Sequence, residues 1–177
     1  MASKVAVIGF LVAVGACRPQ VQAGSAPSAG RATVRNSSGA TVGVLFLENT
    51  AAGVRIRGAL VSLPPGVHGI HVHAVGKCDR AEFSTAGAHL NPSAAQHGLE
   101  NPAGPHAGDL PNITTSPSGE AVVDLTTPRV SLTATGTGAL FDADGSAIVV
   151  HAAADDQKTD PGGNSGARIA CAVIERI

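Results

Sequence analysis

The stretch ATVGVLFLENTAAGVRIRGALV, residues 40–61, holds two runs in which apolar and polar or small residues alternate, at least in part, with period two. That is the period of a strand with one buried face. Residues 40–48 form the first run and 53–61 the second. The same pattern, shorter, recurs at 32–36, 67–74, 119–125, 130–134, 146–151 and 168–174. No segment shows a convincing amphipathic helix. About eight short, regularly spaced strands predict an all-β sandwich or barrel.

Composition agrees. The chain has 177 residues, long enough for one domain with a sizeable core. The 22 glycines and 11 prolines suit many turns. There is no Trp or Tyr, so Val, Ile, Leu and Ala must build the core. Net charge is −1 and no basic run occurs, which removes nucleic acid as an expected partner. Two segments break the strand rhythm: 75–118, rich in Gly, Pro, Asn and His, and 152–167, polar and Gly-rich. Long loops without their own secondary structure are usually functional.

The N-terminus reads as an export signal over residues 1–16. Lys4 supplies a short positive region, and Val5–Gly15 an apolar run too short to span a bilayer. The run ends in Val14-Gly15-Ala16-Cys17, which resembles a lipobox, where the cysteine is lipidated and becomes the first mature residue. An ordinary cleaved signal with a stray cysteine is the other reading. Residues 17–30 are then the anchor cysteine and a flexible Ala/Ser/Gly/Pro tether, and 31–177 the domain. Periplasm or cell envelope is the expected place, with the membrane touched only through the lipid. Removing residues 1–16 takes away Lys4 and no acid, leaving 11 basic residues against 13 acidic. Export bears on the other cysteines too. With Cys17 on the lipid, Cys78 and Cys171 can pair in an oxidising compartment, or remain two buried thiols.

Seven histidines remain to be placed: His68, His71, His73, His89, His97, His106 and His151. Residues i and i+2 of a strand share a face, so His71 and His73 present two imidazoles side by side. An H-x-H pair alone carries little. The loop that follows adds His89, His97 and His106, with Asp109 three residues on. Three imidazoles and a carboxylate can surround zinc, and imidazole also suits copper. His68 is three residues from His71, out of phase with the pair, and reads as a structural histidine bonded to backbone.

Taken together, these segments resemble the copper/zinc superoxide dismutase family of the bacterial exported type. The resemblance rests on Gly69-Ile70-His71-Val72-His73, Gly87-Ala88-His89-Leu90-Asn91-Pro92, Gln96-His97-Gly98, His106-Ala107-Gly108-Asp109-Leu110, Val149-Val150-His151 with Asp155-Asp156, and Gly163-Asn164-Ser165-Gly166-Ala167-Arg168-Ile169-Ala170-Cys171. It covers 31–177. It implies an eight-stranded Greek-key barrel with two long functional loops, and dismutation of superoxide to O2 and H2O2. It implies copper on His71, His73, His89 and His151, and zinc on His89, His97, His106 and Asp109. His89 would bridge the two as an imidazolate. Asp155 would accept hydrogen bonds from His71 and His97, Arg168 would attract the anion, and Cys78 and Cys171 would form the family's disulfide. His89 and Arg168 are thus the expected catalytic groups.

Departures qualify these expectations. Segment 152–167 is shorter than in eukaryotic members, and its charges (Asp155, Asp156, Lys158, Asp160) do not reproduce their steering set. Ala172 and Glu175 stand where glycines are common, so a homodimer, if formed, should not use the eukaryotic mode. The N-x-S/T sequons at Asn36 and Asn112 read as incidental. The competing expectation is a non-catalytic periplasmic copper/zinc-binding module on the same scaffold. A purely structural sandwich would have no reason to collect these histidines.

Overall fold

The computed structural model describes residues 29–177. The expected signal segment, Cys17 and most of the tether lie outside the described residues. Nine strands occur among these: β1 Ala29–Asn36, β2 Thr41–Thr50, β3 Gly53–Leu60, β4 Gly66–His68, β5 Ile70–His73, β6 Ile113–Thr115, β7 Ala121–Thr127, β8 Ala147–His151 and β9 Arg168–Arg176. β1 begins at Ala29, two residues before the expected start of the domain. A single 3-10 turn, Ser84–Ala86, is the helical part of the described residues.

Seven strands form one curled antiparallel sheet in the order β5-β8-β9-β1-β2-β3-β7, and β4 pairs with β6. β4 and β5 are two halves of one run cut at Gly69. The first half pairs with β6 and the second with β8. β6 packs beside β7, so this run closes the sheet into a barrel of eight strand positions. The chain leaves β3 for β4 and returns through β6 to β7 at β3's side, a Greek-key path.

Alternation puts Val54, Ile56 and Leu60 of β3 inside, with Ala121 and Val123 of β7 and Ala32 and Val34 of β1. In β2 the period slips: Val42, Leu45 and Leu47 are the buried residues. The register with β1 shifts there, between Val34 and Arg35, so a bulge absorbs one residue. Gly43 sits at that point, where an added Cβ would strike the Ala59 carbonyl oxygen. β8 is buried on both faces. Ile148 and Val150 join the main core, while Ala147 and Val149 pack with Phe83, Ala86 and Cys171 in a second cluster. That explains its continuous apolar run.

Two strand expectations need correction. Residues 130–134 are not a strand. They fold back on themselves, with Ser131 N–H bonded to Gly138 O at 2.8 Å and Leu140 N–H to Ser131 O at 2.9 Å. Val130, Leu132 and Leu140 plug the core. The alternation there reflects core plugging, not sheet pairing. Conversely, Ile113–Thr115 pairs with β4 inside a segment expected to lack strands.

Candidate metal centre

β5 presents His71 and His73 on one face, β8 ends in His151, and β9 begins with Arg168. The loop between β5 and β6 returns to β5 twice. Val72 N–H bonds to Gly108 O and Leu90 N–H to Val72 O, each at 2.9 Å. These bonds set His89 against His73 and Asp109 against His71 as isolated bridges. The ligand-type atoms then fall into two adjoining groups, each within 4.8 Å: His71, His73, His89, His151; and His89, His97, His106, Asp109. His89 belongs to both.

The first group is a set of lone pairs without protein partners. His73 Nδ1 donates to Gly87 O at 2.9 Å and His151 Nδ1 to Gly166 O at 3.2 Å, which leaves Nε2 of each as an acceptor. His71 Nε2 meets Asp155 Oδ2 at 2.6 Å, which leaves Nδ1. His71 Nδ1, His73 Nε2 and His151 Nε2 are all buried without a hydrogen-bond partner. Buried polar atoms are rarely left so. Burial lowers the pKa of all three rings, His71 to about 4 and His151 to about 3. They are therefore neutral near pH 7, the form that binds a metal ion.

The second group has the dimensions of a tetrahedral site. Asp109 Oδ1 lies 3.0 Å from His89 Nδ1, 3.0 Å from His97 Nδ1 and 3.3 Å from His106 Nδ1. His106 Nδ1 and His89 Nδ1 are 3.5 Å apart. Zinc–ligand bonds of about 2.0 Å require tetrahedron edges of about 3.3 Å. His97 Nδ1 has no hydrogen-bond partner despite its closeness to Asp109, as expected of a ligand atom. Asp109 is fully buried. Burial alone would raise its pKa, but hydrogen bonds from His89 Nδ1 and the Gly98 N–H, with the His97 ring close by, hold it far below the carboxylate range.

Asp155 ties the groups together, with Oδ2 on His71 Nε2 and Oδ1 3.0 Å from His97 Nε2. Asn112 fixes its backbone: Nδ2 donates to Asp155 O at 2.8 Å and Oδ1 accepts Asp155 N–H at 2.9 Å. Gly163 passes so close, at φ 62°, that a Cβ there would strike the Asp155 carboxylate. His68 has a carbonyl oxygen against each ring nitrogen, His151 O and Pro64 O, each at 2.8 Å, so neither nitrogen is open to a metal.

Three residues have roles that no sequence motif assigns. Asn112, in sequence only part of an incidental sequon, holds Asp155. Asp160 Oδ1 accepts His97 N–H at 2.7 Å, and Arg129 Nη2 donates to Asp109 O at 2.6 Å. No spacing rule marks any of them, because each partner lies far along the chain.

A cleft of about 430 Å³ opens over the first group, lined by His73, His89, His151, Thr159, Gly162 and Arg168 among others. Arg168 Nη1 donates to Phe83 O at 2.7 Å and Nη2 to Gly87 O at 2.6 Å. Both carbonyls belong to the loop that starts at Cys78. Cys78 and Cys171 are disulfide-bonded, with Cα atoms 5.7 Å apart.

Barrel and site together define a metalloprotein with two adjoining imidazole-rich centres. The profile of the copper/zinc superoxide dismutase family matches residues 41–174. A superoxide dismutase [Cu-Zn] of Aquifex aeolicus is 43% identical over 145 residues, covering 81% of this chain and 86% of the relative. One of Caulobacter vibrioides is 44% identical over 146 residues, 81% and 84%. The crystal structure of a SOD-like protein from Bacillus subtilis superposes with a TM-score of 0.78 at 39% identity, over 81% of this chain and 97% of that one. The chain belongs to the copper/zinc superoxide dismutase family. Its metals are copper and zinc, and it is an oxidoreductase.

Proposed function

We propose that the chain dismutes superoxide, turning two superoxide anions and two protons into O2 and H2O2. His71, His73, His89 and His151 hold copper; His89, His97, His106 and Asp109 hold zinc. The observation that carries this is the set of three unpartnered, buried ring nitrogens beside a histidine shared with a second, tetrahedral set. When bound, copper supplies the one-electron couple that zinc lacks.

The protein's own groups do the rest. Arg168 binds the substrate anion in the cleft, held in place through the Phe83 and Gly87 carbonyls. His89 Nδ1 faces Asp109, so its Nε2 is the atom left for the copper side. His89 would belong to both metal sets, and its Nε2, when not bound to copper, could hold a proton and release it to the reduced product. Asp155 fixes the tautomers of His71 and His97.

The test is metal analysis and a superoxide assay on residues 18–177 loaded with both metals. One copper and one zinc per chain with rapid superoxide loss is expected, and the rate should fall as salt screens Arg168. Two metals without activity would leave the non-catalytic metal-binding module as the better reading.

We also propose that the chain is exported and anchored by lipid on Cys17, a reading supported by the apolar run and the lipobox-like Val14-Gly15-Ala16-Cys17. Cys17→Ser should move the protein from the membrane to the soluble fraction. Wild-type protein found already soluble after fractionation would sink the anchor.

A further inference from the structure

Arg129 is not one of the family's expected ligands, and it is not among the residues that line the cleft. It follows β7, at the start of the segment that plugs the core. Its N–H is fixed by Thr127 Oγ1 at 3.3 Å. The side chain is partly buried, its Nε is buried without a partner, and its Nη2 reaches Asp109 O at 2.6 Å. That bond completes the hold on Asp109. Oδ2 accepts Gly98 N–H and His106 N–H, each at 2.9 Å, and Oδ1 faces three ring nitrogens. The first two holds come from the same loop as Asp109. The bridge to His71 ties the Asp109 backbone to β5, and Arg129 adds a side-chain hold on its carbonyl from the segment after β7. Burial disfavours the guanidinium charge there, and the buried Asp109 carboxylate opposes that cost.

We infer that Arg129 is a positioning residue for the zinc half of the centre: through the Asp109 carbonyl it sets where Oδ1 stands. The inference rests on the zinc assignment to His89, His97, His106 and Asp109. Outer partners of metal ligands are commonly worth about 10- to 100-fold in metal affinity.

The experiment measures zinc affinity by chelator competition, copper affinity, the Co(II) spectrum of cobalt-substituted protein and the melting temperature of metal-free protein. Wild type, Arg129→Gln, Arg129→Lys and His106→Ala are compared. In Arg129→Gln, zinc affinity should fall by about 10- to 100-fold. The Co(II) spectrum should shift, copper affinity should change far less, and Arg129→Lys should recover part of the loss. Zinc affinity that is unchanged in Arg129→Gln while His106→Ala loses zinc would overturn the role of Arg129 alone. So would equal losses of copper and zinc that follow a drop in the metal-free melting temperature, since Arg129 would then only anchor the plug. Zinc affinity unchanged in His106→Ala would overturn the zinc assignment and this inference with it. If Arg129→Gln does not fold, Arg129→Lys decides: an unshifted Co(II) spectrum and wild-type zinc affinity overturn the inference.

Discussion

Replacing His151 with alanine should empty the copper site, abolish superoxide removal and leave zinc at one per chain. His151 is buried at the end of β8, and its Nε2 is one of three ring nitrogens in the first group without a hydrogen-bond partner. Its removal leaves three of four imidazoles and opens the site to the cleft. The zinc set uses no atom of His151, and its own holds come from Gly98, His106 and Arg129. Besides the proposed copper ligand, the substitution deletes one hydrogen bond, from Nδ1 to Gly166 O at 3.2 Å. Metal content by atomic emission and superoxide decay, measured on one preparation, read both predictions. Loss of both metals would mean that the centres are not separable. Retained copper would remove His151 from the ligand set.

The second large effect is on stability. Replacing Cys78 and Cys171 together by serine should destabilise the metal-free protein by about 4 to 5 kcal/mol, because the bridge closes a long loop in the unfolded chain. The separation is 93 residues. Urea unfolding of metal-free wild type and double variant measures it; a difference under about 1 kcal/mol would show that the unfolded chain gains little freedom when the bridge is absent. The variant should also lose rate faster than it loses copper. The bridge joins β9 to the loop that carries Phe83 O and Gly87 O, the acceptors of Arg168. Freed loop, misplaced arginine and intact copper ligands are the expected combination.

Much of the barrel is legible in the sequence because strands such as β1, β2, β3 and β7 keep one face wet. The runs at 40–48 and 53–61 correspond to β2 and β3 for that reason. Residues 130–134 mislead because core plugging produces the same alternation as pairing. Ile113–Thr115 escapes notice because three residues are too few to show a period, and Pro111 stands just before them. The candidate ligands are legible as motifs, since chemistry dictates both residue type and spacing. Their supports are not. Asn112 meets Asp155 across 43 residues, Arg129 meets Asp109 across 20, and Asp160 meets His97 across 63. Such pairs arise only when the barrel brings loops from different places together, and nothing local in the sequence marks them.

Gly87 has a wider consequence than its size suggests. Its carbonyl oxygen accepts from His73 Nδ1 at 2.9 Å and from Arg168 Nη2 at 2.6 Å. One oxygen thus sets both the tautomer of His73, proposed to hold copper, and the seat of Arg168, proposed to bind the substrate anion. On the proposed roles the two traits are coupled: a drift of that peptide would change redox tuning and anion capture in a single step. Variants that alter catalytic rate by moving residues 83–88 should therefore alter the copper's spectrum as well.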